Sequence, residues 1–156
     1  MALASRSARS ISDVVGGYLE SRRKPFSWEA PGEVVAFPAS SDHHQWTVYA
    51  VCFDGNSQLL VHSVRDGRIP ERRRAAVGAF VSRANNGMVL GNFEFDLDDG
   101  ELRFKTSIDV QGDRLSEALL DNLIEANTYC FGLYLPGIDE VLAGATPEEA
   151  IAAVES

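Results

Sequence analysis

The sequence lacks the features that mark a membrane protein, a secreted precursor or a disulfide-stabilised domain. Its two cysteines, Cys52 and Cys130, are far apart, and each falls in an apolar stretch. This placement is typical of reduced thiols in the core of a cytoplasmic protein. No apolar run approaches the ~18 residues that a membrane span requires, and the first residues do not form the apolar core of a signal peptide. We therefore expect a cytoplasmic protein that contacts no membrane.

Basic residues are also scarce. The chain has 14 Lys and Arg against 23 Asp and Glu, which gives a formal net charge of −9. Nonspecific binding to nucleic acids requires excess positive charge, so we expect no nucleic acid as a partner. A chain of 156 residues can bury one core without a metal or a disulfide. We expect residues 1–9, which are small and polar, to be a flexible N-terminus, and residues 10–156 to form a single domain.

Motifs of catalysis and cofactor binding are missing as well. No GxSxG, CxxC, HExxH or Walker-type pattern occurs. His43 and His44 are adjacent, and adjacent side chains on an extended segment point in opposite directions, so the pair is predicted to lie in a solvated loop rather than to bind a metal. The acidic residues between Asp96 and Glu101 lack the ligand spacing of a calcium loop. The sequence thus predicts no catalytic residue, no metal and no cofactor.

The clearest element that is present is a β-hairpin between Asn92 and Val110. Asp99-Gly100 suits a two-residue primed turn, where Gly adopts positive φ without strain. Folding the chain about that turn places Phe95 opposite Phe104. Acidic and basic residues then pair on one face, a match that a one-residue slip would destroy. The opposite, apolar face collects Phe93, Phe95, Leu97, Leu102, Phe104 and Ile108.

Apolar spacing and terminal signals predict the remaining helices and strands. Helices are expected after Ser10 up to Pro25, from Pro70 to Asn85-Asn86-Gly87, after Ser116 to Pro136-Gly137, and after the Thr146 capping box as a short tail. Strands are expected at Phe26–Trp28 and Glu33–Phe37 near an exposed edge, at Trp46–Phe53 as a central strand covered on both faces, and at Gln58–Val64. With the hairpin, the order αβββαββα plus a C-terminal helical tail predicts an α+β fold with an antiparallel sheet.

Three consecutive arginines are the candidate binding residues. Arg72, Arg73 and Arg74 fall in the first turns of the second helix, where positive charge opposes the helix dipole. Because Glu71 offsets only part of that charge, we predict that the cluster contacts a partner protein or an acidic surface of a second copy. The alternative is plain solvated surface. Asn127 interrupts the apolar face of the third helix, where a buried amide needs partners across a core or a dimer interface.

The second half of the chain resembles the YbjN family of bacterial proteins. The resemblance is carried by RANNGMVLGNFEFDLDDGELRFKTSIDV, followed by RLSEALLDNLIEAN and YLPGIDEVLAGATPEEAI. The family is described as sensory transduction regulators with a fold similar to that of type III secretion chaperones, which are small acidic homodimers that bind extended segments of other proteins. The resemblance therefore implies a non-enzymatic, protein-directed role, and it supplies no catalytic residues.

Our leading functional hypothesis is a chaperone-like, protein-binding regulator that forms a homodimer. We expect it to hold another polypeptide at exposed strand edges, such as Glu33–Phe37, or in apolar grooves. The alternative is a small-ligand sensor domain with a pocket between the sheet and the helices. An enzyme is the weakest hypothesis, because its only support is the polar run Arg103, Lys105, Ser107 and Asp109, which salt bridges to Glu94 and Asp96 also explain.

Overall fold

The computed structural model describes residues 9–156, so most of the predicted flexible N-terminus lies outside the described residues. The elements are α1 (Ile11–Ser21), β1 (Ser27–Ala30), β2 (Val34–Ser40), β3 (Gln45–Phe53), β4 (Gln58–Val64), α2 (Glu71–Asn85), β5 (Asn92–Phe95), β6 (Leu102–Asp109), α3 (Glu117–Ala143) and α4 (Pro147–Glu155). The predicted order αβββαββα with a helical tail, and with it the α+β class, is confirmed.

The six strands form one antiparallel sheet in the order β1-β2-β3-β4-β6-β5. The outer strands are β1 and β5. The prediction that Glu33–Phe37 lies at an exposed edge is wrong over Val34–Ala36, because these residues pair with β3 on one side and with β1 on the other. The chain reverses at Pro31-Gly32, where Gly32 has a φ of 72°, and this reversal lets β1 cover β2.

Within residues 9–156, helices cover one face of the sheet and leave the other open, so the prediction that the central strand is covered on both faces is also wrong. Along β3, Trp46 and Val48 are buried, whereas the alternating Thr47 and Tyr49 are only partly buried. Helices α1, α2 and α3 pack on the buried face. In an antiparallel sheet covered on one face, every second side chain faces solvent. The sequence of β3 does not show this alternation of buried and exposed positions, because both of its faces carry apolar residues.

The third helix does not end at Pro136-Gly137, as the sequence suggested, but continues to Ala143. Proline cannot donate the i→i−4 hydrogen bond and normally interrupts a helix. Here the buried stripe continues beyond it through Ile138 and Val141, both fully buried, and this packing holds the last two turns. Gly144, with a φ of 117°, ends the helix in the left-handed conformation.

The hairpin register differs from the predicted one by two residues. Phe104 lies opposite Phe93 rather than Phe95, and Phe95 lies opposite Leu102. The turn is therefore longer than the predicted two-residue Asp99-Gly100 turn. Asp96 closes it, because its carboxylate Oδ1 accepts a hydrogen bond from the Asp98 amide at 2.8 Å. A shift of two residues keeps the side chains within the strands on their predicted faces. Asp96 and Leu97 instead lie in the turn, where Leu97 is exposed.

Candidate protein-interaction groove

The outer face of α3 carries an exposed apolar stripe. Tyr129 is 67% exposed and Leu133 is 42% exposed, and Pro136 is exposed beside them. These residues are spaced i, i+4 and i+7, so they lie on one side of the helix. Their side chains face away from the sheet, because Phe131, Tyr134 and Leu135 carry the buried face of the same segment.

Two glycines of α3 allow neighbouring elements to stand close beside this stripe. A Cβ on Gly132 would lie 3.1 Å from Trp46 Cη2 and 3.2 Å from Ser41 Cβ. The absence of a side chain at Gly132 therefore lets the turn between β2 and β3 pack against α3. A Cβ on Gly137 would lie 2.7 Å from Val154 Cγ2, a distance so short that Val154 would have to shift. The absence of a side chain at Gly137 therefore lets α4 pack against α3. The predicted helix terminator Gly137 is thus a packing residue.

The β2–β3 turn and α4 flank the exposed stripe of α3 and form a groove with it, which we call the α3 groove. Its two cavities, of about 540 Å³ and about 640 Å³, share Leu133 and Pro136 and therefore adjoin. The first lies against the β2–β3 turn, residues 40–44, and the second lies against α4. The side chains that line the groove are Ser40, Ser41, Asp42, His43, His44, Glu125, Thr128, Tyr129, Leu133 and Pro136 on one side, and Glu140, Ala145, Glu149, Ala150, Ala153 and Val154 on the other.

The rim of the α3 groove is acidic. Asp42 and Glu125 line the first cavity, and Glu140 and Glu149 line the second, whereas no Lys or Arg belongs to either lining among the described residues. Hydrogen bonds from the backbone and side chain of Thr146 lower the pKa of the Glu149 carboxyl, so this group is ionised at neutral pH. An apolar floor between carboxylates favours a ligand that is apolar in the middle and positively charged at its margins.

The predicted solvated loop at His43 and His44 forms one wall of the groove. His43 is exposed, but His44 is not merely solvated, because its Nε2 lies 2.7 Å from Asp139 Oδ2 on α3. This contact joins the β2–β3 turn to the helix. The sequence could not reveal it, because the two residues are far apart along the chain.

The floor of the groove also holds a backbone acceptor. Pro136 has no N–H, so the Gly132 carbonyl lacks the donor that the fourth residue beyond it normally supplies in a helix. Both residues line the first cavity.

The three predicted partner-binding arginines do not line the α3 groove, and the structure separates their environments. Arg74 is engaged within the protein, since its guanidinium donates to the carbonyl oxygens of Ile69 at 3.1 Å, Leu97 at 3.2 Å and Asp98 at 2.7 Å. Arg73 is partly buried, and its Nε has no hydrogen-bond partner in the described part of the protein. Only Arg72 is exposed. Arg74 therefore lies at the hairpin tip, whereas the Arg73 guanidinium lies near Gly144 at the end of α3.

The space between the sheet and the helices, where the sensor hypothesis placed a pocket, is filled by side chains. Phe93 packs edge-on against Phe104 with ring centroids 4.9 Å apart, and Trp46 packs against Phe131 at 5.3 Å. Asn127, whose amide was predicted to need partners, is fully buried in this core. It donates to the carbonyl oxygens of Val61 and Phe104 and accepts a hydrogen bond from Ser63.

The polar run on β6 forms salt bridges on the open face of the sheet. Arg103 Nε lies 2.7 Å from Glu94 Oε2, and Lys105 bonds the other carboxylate oxygen. The predicted pair of Asp96 with Arg103 is absent, because the shifted register moves Asp96 into the turn. Burial alone would raise the pKa of Glu94, but the hydrogen bonds from Lys105 and Arg103 outweigh it and hold that pKa below its usual value.

His62 lies beside these charges with its side chain only 12% exposed. Its Nε2 is 3.3 Å from Glu94 Oε2, a contact close enough for charge attraction but without hydrogen-bond geometry. His62 Nε2 therefore has no hydrogen-bond partner among the described residues. Burial, followed by the charge of Arg103, lowers the pKa of His62, although Glu94 acts in the opposite direction.

The two thiols are protonated at neutral pH. Burial, with a smaller contribution from the charge of Asp54, raises the pKa of Cys52 to about 12, and burial also raises the pKa of Cys130. Both cysteines are free. Among residues 9–156, no three His, Cys, Asp or Glu side chains are grouped so that they could hold a metal ion. In the same part of the chain, no helix is both long and apolar enough to cross a membrane.

These features define a small α+β protein with helices on one face of an antiparallel sheet and an acid-rimmed apolar groove. A family model described as "YbjN: Putative bacterial sensory transduction regulator" matches residues 12–127. The chain therefore belongs to the YbjN family, as the resemblance in its second half indicated. The match includes the first strands and ends at Asn127, so Tyr129, Leu133 and α4 lie beyond it.

Solved structures align with the chain at low sequence identity, and the first of them has the same fold. The crystal structure of YbjN from E. coli aligns with a TM-score of 0.59 at 10% identity and covers 80% of this chain and 90% of that one. A chain of the HopA1–SchA chaperone–effector complex aligns with a TM-score of 0.45 at 17% identity, covering 77% and 89%. A chain of the ExsC–ExsE complex gives 0.45 at 16% identity, covering 81% and 89%. No curated protein sequence matches the chain.

Proposed function

We propose that this protein is a non-enzymatic, chaperone-like regulator that binds a segment of another polypeptide in the α3 groove. The observation that carries the proposal is the exposed stripe of Tyr129, Leu133 and Pro136 between two walls. A contiguous apolar surface bordered by polar residues is typical of protein-binding sites. Exposed Tyr is also among the side chains that contribute most to protein–protein affinity. The regulator description of the family supports the same kind of role.

A photo-crosslinking experiment tests this function in the protein's own bacterial cells. Tyr129 is replaced by p-benzoylphenylalanine, and the matched control carries the same substitution at Phe53, which is 44% exposed at the far end of β3. We expect a discrete polypeptide adduct from position 129 and none from position 53. Absence of any adduct at position 129, or identical adducts from both positions, would refute the groove as a protein-binding site.

We also propose that the protein is a cytoplasmic homodimer. Two free thiols suit a reducing compartment, and exposed apolar residues such as Val89 and Leu90, at 93% and 59% exposure, suit an interface between copies. Light scattering at micromolar concentration should give twice the mass of one chain. A monomer mass would refute the dimer and leave the α3 groove unaffected, because the groove is formed within one chain.

The arginine cluster is proposed as a second contact with the partner, through its exposed member. Arg72 projects into solvent on an otherwise acidic protein, so it is suited to orienting an acidic surface. The variant Arg72→Glu should weaken the Tyr129 adduct without lowering the thermal midpoint. An adduct of unchanged yield would show that Arg72 is only solvated surface.

A further inference from the structure

We propose that the α3 groove binds an amphipathic α-helix whose apolar face is flanked by Lys or Arg at both ends. This inference rests on the proposed protein-binding function and specifies the chemistry of the partner. A channel between two helices and a turn accepts the ridge of a third helix, whose apolar side chains at i, i+3, i+4 and i+7 enter the groove. The acidic rim then selects the charge of the flanking residues.

The dimensions of the groove set the length of the partner helix. The lined part of α3 extends from Glu125 to Glu140. At 1.5 Å per residue this segment is about 22 Å long, which corresponds to roughly four helical turns. A partner segment of about 15 residues therefore spans the groove, and its apolar residues cover Leu133 and Pro136 at the junction of the two cavities.

Carboxylates occur at both ends of the groove. Asp42 and Glu125 lie in the first cavity, and Glu140 and Glu149 lie in the second. Their charges are not neutralised by a Lys or Arg within either lining, as far as the structure describes the chain. A helix with basic residues near both termini thus places positive charge beside negative charge at each end.

The helices that the structure describes in a second copy of the chain do not match this chemistry. The large apolar side chains exposed on its described helices are Leu119, Tyr129 and Leu133, all on α3. The basic start of α2 carries no large exposed apolar residue beside Arg72 in the same described region. The groove therefore selects a helix from a different protein, and self-association through the groove becomes an outcome that the experiment must detect.

Three synthetic 15-residue peptides and fluorescence anisotropy test the inference with the full-length protein. The first peptide carries Leu on one helical face, Lys near both ends and uncharged polar residues elsewhere. The second replaces every Lys with Glu, and the third has the composition of the first with its Leu positions scrambled. We expect the first peptide to bind at least about tenfold more tightly than either of the others, a difference of about 1.4 kcal/mol. Raising the salt concentration should weaken that binding, because the rim charges are screened.

Two matched pairs of variants locate the binding. Leu133→Glu should weaken the first peptide about tenfold or more, whereas Leu97→Glu, which adds the same charge at a residue 60% exposed on the hairpin tip, should not. Glu125→Lys combined with Glu140→Lys should transfer the preference to the Leu/Glu peptide. The control pair Glu20→Lys with Glu33→Lys makes the same change in net charge at exposed sites outside the groove and should retain the original preference. Thermal melts confirm that each variant is folded.

Several results would overturn the inference. They are equal affinity for the three peptides, no binding by any of them, equal losses from Leu133→Glu and Leu97→Glu, or a mass change from dimer to monomer in Leu133→Glu alone. The last result would show that a second copy occupies the groove. If the Tyr129 adduct forms but the peptides are not discriminated, the protein-binding function stands and only the proposed partner chemistry fails. If the adduct is also absent, both fail.

Discussion

Ser63 on β4 donates a hydrogen bond to Asn127 on α3 across the core, with 2.6 Å between Ser63 Oγ and Asn127 Oδ1. Ser63 Oγ in turn accepts from Trp46 Nε1 at 2.9 Å. The Asn127 amide nitrogen donates to carbonyl oxygens of β4 and β6, and to Thr106 Oγ1 at 3.2 Å. One buried polar group thereby joins α3 to the middle of the sheet and satisfies the hydrogen bonds that its burial requires.

Removing Asn127 should therefore destabilise the protein strongly. Asn127→Ala leaves the Ser63 hydroxyl without its acceptor and creates a small cavity, so we expect a loss of about 2 kcal/mol or more in the free energy of unfolding. Asn122→Ala, at an exposed position on the same helix, should change it by less than about 0.5 kcal/mol. Urea melts of Ser63→Ala, Asn127→Ala and the double variant should also reveal coupling, because the double loss is smaller than the sum of the single losses. Additive losses would contradict the network.

The hairpin turn should be sensitive to a methyl group at Gly100. This residue has a φ of 82°, and a Cβ there would lie 2.4 Å from the Ile69 carbonyl oxygen. Gly112 has nearly the same φ, 84°, but a Cβ would have no neighbour within 4 Å. Gly112→Ala should therefore cost only the backbone strain, roughly 1–2 kcal/mol, and Gly100→Ala should cost distinctly more. Equal costs in denaturant melts would mean that the turn does not pack against the segment that precedes α2.

Arg74 and Arg72 should differ in their effect on stability. Arg74→Ala removes the donor that serves two carbonyl oxygens at the hairpin tip and that of Ile69 before α2, and we expect a loss of roughly 1–3 kcal/mol. Arg72→Ala removes an exposed charge from the first turn of α2, which should be neutral or slightly stabilising because cations oppose the dipole there. Thermal melts at one pH compare the midpoints of the two variants with that of the parent protein. An Arg74 variant as stable as the parent would show that those hydrogen bonds contribute nothing.

The stability of the protein should fall as His62 is driven to protonate. The groups that face its ring are Glu94, Arg103, Lys105 and Tyr49, which is its cross-strand partner on β3. Because the pKa of His62 is lowered in the folded state, the unfolded chain binds more protons just below the ordinary pKa of about 6.5. Stability contributed by the neutral ring is therefore complete above pH 6.5 and declines as the pH falls toward the folded-state pKa.

Urea melts between pH 7.5 and pH 5.5 measure this dependence. The decline should be smaller in His62→Gln, which has no ionisable ring, and unchanged in the control His43→Gln at an exposed position on the β2–β3 turn. An NMR titration should place the His62 pKa below the ordinary value. A titration at or above 6.5 would mean that Glu94 outweighs burial.

Local sequence signals determined the ends of most elements. Ser10, Ser116 and Thr146 each accept a hydrogen bond from the backbone amide three residues later, as helix caps do. These interactions involve neighbours in the chain, so the sequence alone displays them. The two faces of the hairpin were predictable for the same reason, since alternation along a strand is a local property. Even the αβββαββα order follows from such signals.

Only the tertiary structure decided the hairpin register, the length of α3 and the α3 groove. A shift of two residues preserves the alternating pattern, so the register depends on the Asp96 carboxylate in the turn and on Arg74, which arrives from α2. The helix continues past Pro136 because residues beyond it are buried against distant elements. The groove requires the β2–β3 turn and α4 to approach α3 at Gly132 and Gly137. Contacts between segments far apart in the chain leave no periodic signal in either segment, and the α3 groove is made from such contacts.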